Sequence, residues 1–240
     1  MKNRLPLAAA LASTLALTAC TTTDPQSLAQ NDPFEPGNRE IFAFSMAVDK
    51  AVAAPAAKFY RAAVPQPARQ GVRNALNNLN APVILVNDVL QGEGEKAVNT
   101  FGRFMVNSTV GLGGLLDVAT DIGIPAHDND FGITLGKGGV HEGSYLFVPL
   151  LGPKPPRDLL GTAVDTGFDP LTYMTWNNSS LYKGIKAGLS VLDKREATLD
   201  TVESIERTSI DFYATTRSLY RQNRNAQIKG DAANEELPNF

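Results

Sequence analysis

The 240-residue chain is poor in the residues that most often carry chemistry: one cysteine and two histidines. A single thiol excludes an intramolecular disulfide and a cysteine-rich metal site. Basic residues show no excess. Lys and Arg number 22 against 25 Asp and Glu, a net charge of −3, which argues against a nucleic-acid binder. Beyond residue 20 no run is long and apolar enough for a conventional transmembrane helix, which needs roughly 20 such residues. Apolar residues are not scarce. At 43% of the chain they suffice for a core and argue against wholesale disorder. Twenty glycines and 15 prolines predict many turns and helix ends. The length allows one large domain or two small ones.

The N-terminus is an address. Lys2 and Arg4 precede an almost wholly apolar stretch, Leu5 to Leu17, and Leu17-Thr18-Ala19-Cys20 follows. A charged start, an apolar middle and small residues before a cut site make a secretory signal peptide over 1–19. The small residues ending at Cys20 resemble a bacterial lipobox, which implies cleavage before Cys20 and its lipidation. The alternative is an ordinary signal in which Cys20 is incidental. Cleavage removes Lys2 and Arg4, so the mature chain keeps 20 basic and 25 acidic residues, a net −5. Residue 21 is Thr rather than the Asp that commonly retains Gram-negative lipoproteins at the inner membrane. That points to the outer membrane, facing the periplasm.

The mature chain is predicted mainly α. Residues 20–31 form a polar tether. Residues 32–192 carry amphipathic helices broken by Gly- and Pro-rich bends. Asn38 is the expected N-cap of the first, which carries Ile41, Phe44, Val48 and Val52 and is closed or kinked at Pro55. A second helix opens at Pro67. Pro82 restarts the chain into a separate short helix over Val83–Leu90. Val98, Phe101 and Met105 share one face of the next, widened by Phe104. Residues 109–120 hold three glycines and read as a bend or a close backbone approach. Residues 121–130 read as a loop, and 131–140, with four glycines, as conformationally unusual. The apolar run 145–152 suggests a strand that Pro149 demotes. Helices follow from Pro156 and from a cap at Ser180. A last helix over about 194–222, within a segment 193–229, looks like a surface or protruding element, and 230–240 a disordered tail.

Catalytic signatures are missing. A nucleophile needs a base within reach, yet His127 and His141 both lie in loops. No Gly-x-Ser-x-Gly elbow occurs. Gly136-Lys137-Gly138-Gly139 lacks the first glycine and the Ser or Thr of a phosphate loop, and Gly111-x-Gly113 lacks a dinucleotide fingerprint's third glycine. His127, Asp128 and Asp130 are either metal ligands or a solvated surface. An enzyme is not supported.

Five stretches together resemble the MlaA/VacJ family of outer-membrane lipoproteins. They are Asp32-Pro33-Phe34-Glu35-Pro36-Gly37-Asn38-Arg39; Val64 to Arg69 with Gly71 and Asn74; Gly111 to Ala119; Asp130 to Gly136 with Gly138, Gly139 and Val140; and Gly143 to Leu146, Val148 to Pro153 and Arg157-Asp158. Their order spans residues 32 to about 170. Gly37 stands where the family usually has an aromatic residue.

The resemblance implies a helical, ring-like protein seated in the inner leaflet of the outer membrane. It implies a function: removal of mislocalised phospholipid from the outer leaflet and delivery to a soluble periplasmic carrier, MlaC. Association with a trimeric porin is implied as well, and no cofactor or covalent chemistry. Phe101, Phe104, Met105, Leu112, Gly113, Gly114, Leu115 and Leu116 are then candidates for the apolar lining or belt. Arg157 and Asp158 are candidates for a polar passage or, equally, an exposed helix start. The Asp32–Phe44 stretch is a functional motif or a structural clasp. The C-terminal helix is either a docking arm for the carrier or a brace. The competing classes are a lipid channel, a lipoprotein that only scaffolds a porin, and a lipid-cleaving enzyme.

Overall fold

A computed structural model describes residues 21–175 and 178–230. The signal peptide, Cys20 and positions 231–240 of the tail lie outside the described residues. The chain forms helices α1 (Pro25–Ala29), α2 (Glu35–Val48), α3 (Ala54–Ala63), α4 (Gln66–Leu90), α5 (Gly94–Thr109), α6 (Val118–Asp121) and α7 (Phe131–Lys137). A small hairpin, β1 (Phe147–Val148) and β2 (Gly152–Pro153), comes next. Then follow α8 (Pro156–Phe168), α9 (Pro170–Tyr173), α10 (Ser179–Ala197), α11 (Leu199–Thr208) and α12 (Phe212–Lys229). The class is mainly α. The strands pair antiparallel, Phe147 opposite Pro153. Among the described residues no helix is long and apolar enough to cross a membrane.

Several local expectations are corrected. The polar tether carries α1, capped by Asp24, and its Thr22 N–H donates to the Pro33 carbonyl at 2.7 Å. Asn38 is not a cap. Helix α2 starts three residues earlier with Pro36 in its first turn, where a missing N–H costs nothing, and Asn38 is buried inside it. Pro55 kinks rather than closes the helix: a π-helical turn, Asp49–Ala53, joins α2 to α3. Pro82 does not restart the chain but lies inside α4. It forfeits one backbone bond, and the long packing of α5 along α4 holds both halves in line. Helix α10 starts one residue before Ser180, after a left-handed Asn178.

The glycine-rich segment 131–140 is mostly a helix, α7, capped by Asp130, whose carboxylate accepts from the Ile133 N–H at 2.9 Å. Its glycines make room. A Cβ on Gly161 of α8 would collide with the Gly132 backbone, and one on Gly132 with Arg224 and Asp158. Glycine thus permits α7, α8 and α12 to meet at backbone distance.

The C-terminal helix differs most from expectation. It breaks at Thr198 and again at 209–211, and α12 lies against the body instead of protruding. Tyr213, Arg217 and Arg224 are buried on it. The apolar centre is small: Phe42, Tyr145, Phe147 and Tyr213, with Phe42 edge-on to Phe147 and Tyr213 at 5.3 and 5.5 Å. Around that centre the burial is largely ionic.

Candidate functional site

Helix α4 is amphipathic in an unusual sense. Asn74, Asn78, Ala81 and Ile84 recur three and four residues apart, on one helical face. That face looks inward. Opposite it α5 presents Thr100, Arg103, Phe104 and Asn107. Together with Ala126, His127 and Asp128 they enclose a cavity of about 290 Å³. Asparagine dominates the wall: Asn74, Asn77, Asn78, Asn80 and Asn107. The outward face of the same hairpin is greasy. Val98 is 71% exposed and Phe101 53%, and Met105, Val110, Leu112, Leu115 and Leu116 are exposed as well. Water-soluble helices bury the apolar stripe and hydrate the polar one; on α5 the order is reversed, and exposed apolar residues run along the helix and the turn that follows it.

Of the residues expected to form an apolar lining or belt, the structure therefore separates two groups. Phe104 lines the cavity. Phe101, Met105, Leu112, Leu115 and Leu116 lie on the outside.

Arg103 and His127 on the cavity wall are both engaged. The Arg103 guanidinium donates to both Asp117 oxygens at 2.8 Å, to Thr120 Oγ1 at 3.0 Å and to the Ile124 carbonyl at 2.6 Å. Burial pushes Asp117 up, but hydrogen bonds from Thr120, Asn107 and Arg103, with the arginine's charge, hold it below the usual carboxylate range. His127 Nε2 lies 2.8 Å from Asp88. Asp88 is fully buried and also accepts from Thr100 Oγ1 and Asn129 Nδ2, each at 2.7 Å. The carboxylate thus sits between hydroxyl and imidazole. His141 is remote; its Nδ1 accepts from the Gly143 N–H at 3.1 Å. Among the described residues no cluster of three or more His, Cys, Asp or Glu could hold a metal ion.

The turn after α5 closes one side. Leu112, Gly113 and Gly114 all have positive φ, 54°, 73° and 92°. Gly114 N–H donates to the Asn107 carbonyl at 2.7 Å, and its α-carbon backs onto Asn78. A Cβ there would stand 2.5 Å from the Asn78 Cβ; one on Gly113 would meet nothing.

The MlaA lipoprotein family matches this chain over residues 30–227. The chain belongs to the MlaA lipoprotein family. It is 35% identical over 229 residues to the intermembrane phospholipid transport system lipoprotein MlaA of Haemophilus influenzae, covering 93% of this chain and 90% of that protein. The Escherichia coli K12 protein of the same name is 34% identical over 244 residues, 100% of this chain and 94% of its own. A chain solved in work on the structural basis for maintenance of bacterial outer membrane lipid asymmetry superposes with a TM-score of 0.73 at 32% identity. The match covers 82% of this chain and 98% of that one.

In this MlaA-family chain the motif residues Asp32, Pro33, Phe34, Asn38, Arg39, Arg157 and Asp158 are not at the cavity. They build a buried polar spine under α12. Asp32, with no exposed surface, accepts from Asn38 at 2.8 Å, Tyr213 at 2.5 Å and Arg217 at 2.6 Å. Asn38 also donates to the Tyr145 carbonyl and accepts from Phe147 N–H. Phe34 flanks the start of α2. Arg39 clamps Asp211 through two bonds, at 3.1 and 2.6 Å, and lies 4.6 Å over the Tyr213 ring.

Arg157 and Asp158 are not an exposed helix start, and neither lines the cavity. Asp158 is 2% exposed and accepts from Arg157, Arg224 and Tyr220. Arg224 reaches on to Asp130 with two bonds of 2.7 Å. Burial pushes Asp158 up, but hydrogen bonds from Arg224, Tyr220 and Arg157 and the Arg224 charge win, and its pKa falls below the ordinary value. Asp130 is lowered in the same way by Arg224.

Sequence reasoning passed over both halves of this arrangement. Tyr213, Arg217, Tyr220 and Arg224 stand four, three and four apart, so the arginines share a face with the tyrosines. Four asparagines within 74–80 on a helix were the available signal for a polar inner face, because asparagine is a poor helix former.

Proposed function

We propose that this chain is an outer-membrane lipoprotein of intermembrane phospholipid transport, anchored through Cys20 on the periplasmic side and seated in one leaflet by the α5 belt. In this reading it draws mislocalised phospholipid from the outer leaflet and so maintains lipid asymmetry. The single observation that carries it is the inversion of α5: a polar face on the cavity it shares with α4, and an exposed apolar face on its other side. A phospholipid asks for both, a polar path for its head and apolar surface for its tails. The names of the relatives support the same assignment. No step in this reading breaks a bond in the lipid. A trimeric porin as docking partner and the carrier MlaC as acceptor complete the proposal.

The test is exchange of labelled phospholipid between vesicles holding the full-length lipoprotein and purified carrier. Transfer without release of free fatty acid is the expected result. Porin binding without any transfer would leave only a scaffold, and fatty acid release would make the protein an enzyme.

A further inference from the structure

The cavity wall carries two potentially cationic groups, and both are engaged. Arg103 is neutralised by the two-bond pair with Asp117. His127 faces Asp88, a carboxylate whose other partners, Thr100 and Asn129, are neutral. Among the described residues, Asn77, Asn80 and Asp128 line the cavity with no hydrogen-bond partner of their own. Two of these are neutral dipoles. The third is an exposed carboxylate, the one wall charge that is not balanced.

An anionic head group entering this space would find no free cation and one opposing charge. A zwitterionic head group would find the reverse. We propose that the cavity selects phospholipids whose head group carries an ammonium, with Asp128 as its counter-charge and the asparagine carboxamides donating to the phosphodiester. The inference rests on the reading that this cavity handles lipid. Carboxamides suit the phosphate because each offers two donors without fixing a strong ion pair, so the lipid is held and still released.

The test uses the full-length lipoprotein in bilayers of equal phosphatidylethanolamine and phosphatidylglycerol, gentle extraction, and mass spectrometry of the co-purified lipid. Enrichment of phosphatidylethanolamine by about five-fold is expected, the preference that one partly hydrated ion pair gives. Asp128→Asn should bring the ratio close to one, and Asp128→Lys should invert it. Asp128 is exposed and unpartnered, so both variants are expected to fold, which circular dichroism checks. Equal retention, or excess phosphatidylglycerol, in the unmodified protein overturns the proposal. So does a ratio that neither variant moves, which would mark lipid clinging to the outer belt. Folded protein that retains neither lipid would refute the lipid-handling reading itself, and the selectivity with it.

Discussion

A single methyl group added at Gly114, and separately at Gly113, distinguishes a shaped cavity wall from an ordinary turn. Both residues have positive φ, so an L side chain at either costs about 1–2 kcal/mol of backbone strain. There the likeness ends. At Gly113 the new carbon has open space; at Gly114 it stands 2.5 Å from Asn78 Cβ and 2.8 Å from its Nδ2. Relieving that clash must push Asn78 off the 2.9 Å bond it donates to Ser108. Overpacking of this kind adds about 1–3 kcal/mol, and the lost bond about 1 kcal/mol more. Gly113→Ala should therefore lower Tm by only a few degrees and leave lipid transfer intact, at about 2–4 °C per kcal/mol for a chain of this size. Gly114→Ala should lower Tm at least twice as far and slow transfer from vesicles to carrier, because Asn78 lines the cavity. Equal Tm shifts would refute the packing argument. Normal transfer by a destabilised Gly114→Ala protein would refute the link between wall and transport.

Other outcomes follow from the same geometry. Arg224→Ala strands Asp130 and Asp158 with reduced compensation and should cost about 3–5 kcal/mol, read by chemical denaturation; a loss below that of the exposed control Lys58→Ala would show that α12 is not held this way. Acid should weaken the same spine. Asp130, Asp158, Glu35 and Asp211 have pKa values lowered on folding, so their contribution is complete above the ordinary carboxylate range, about pH 4, and is lost as pH falls through the lower folded values. Tm measured down a pH series should be flat near neutrality and fall below about pH 4; a fall beginning near pH 6 would point to histidine instead. Phe101→Ser with Met105→Ser removes exposed groups only, so stability in detergent should change by roughly 0.5 kcal/mol or less per substitution while flotation with vesicles declines. Unchanged flotation would take α5 out of the membrane contact.

The helical class, the bends and the exposed apolar set at 101–116 were legible in the sequence, because periodicity and glycine punctuation are local signals. Long-range pairing was not. Nothing near Arg217 or Arg224 announces that Asp32, Asp130 and Asp158 will neutralise them, and a charged helix near a chain end looks solvated until its partners are known. Pro82 misled for the converse reason: its local preference to break a helix is outweighed by packing that the sequence does not display. The motif residues were recognisable, yet their role was not. Asp32, Asn38, Arg157 and Asp158 hold the frame together, whereas of the motif residues Asn74 and Asp117 reach the cavity wall, beside Asn77, Asn78, Asn80 and Asn107 that lie between the motifs.

In the proposed function, phospholipid passes through the space between α4 and α5. The most direct measurement places a photo-reactive side chain at position 77, on the cavity wall, or at position 58, on an exposed part of α3. Each protein is activated in vesicles carrying labelled phospholipid during transfer. A lipid adduct at position 77 that grows with turnover, and none at position 58, is the expected result. Labelling confined to the belt at position 101, with position 77 silent while transfer continues, would contradict it.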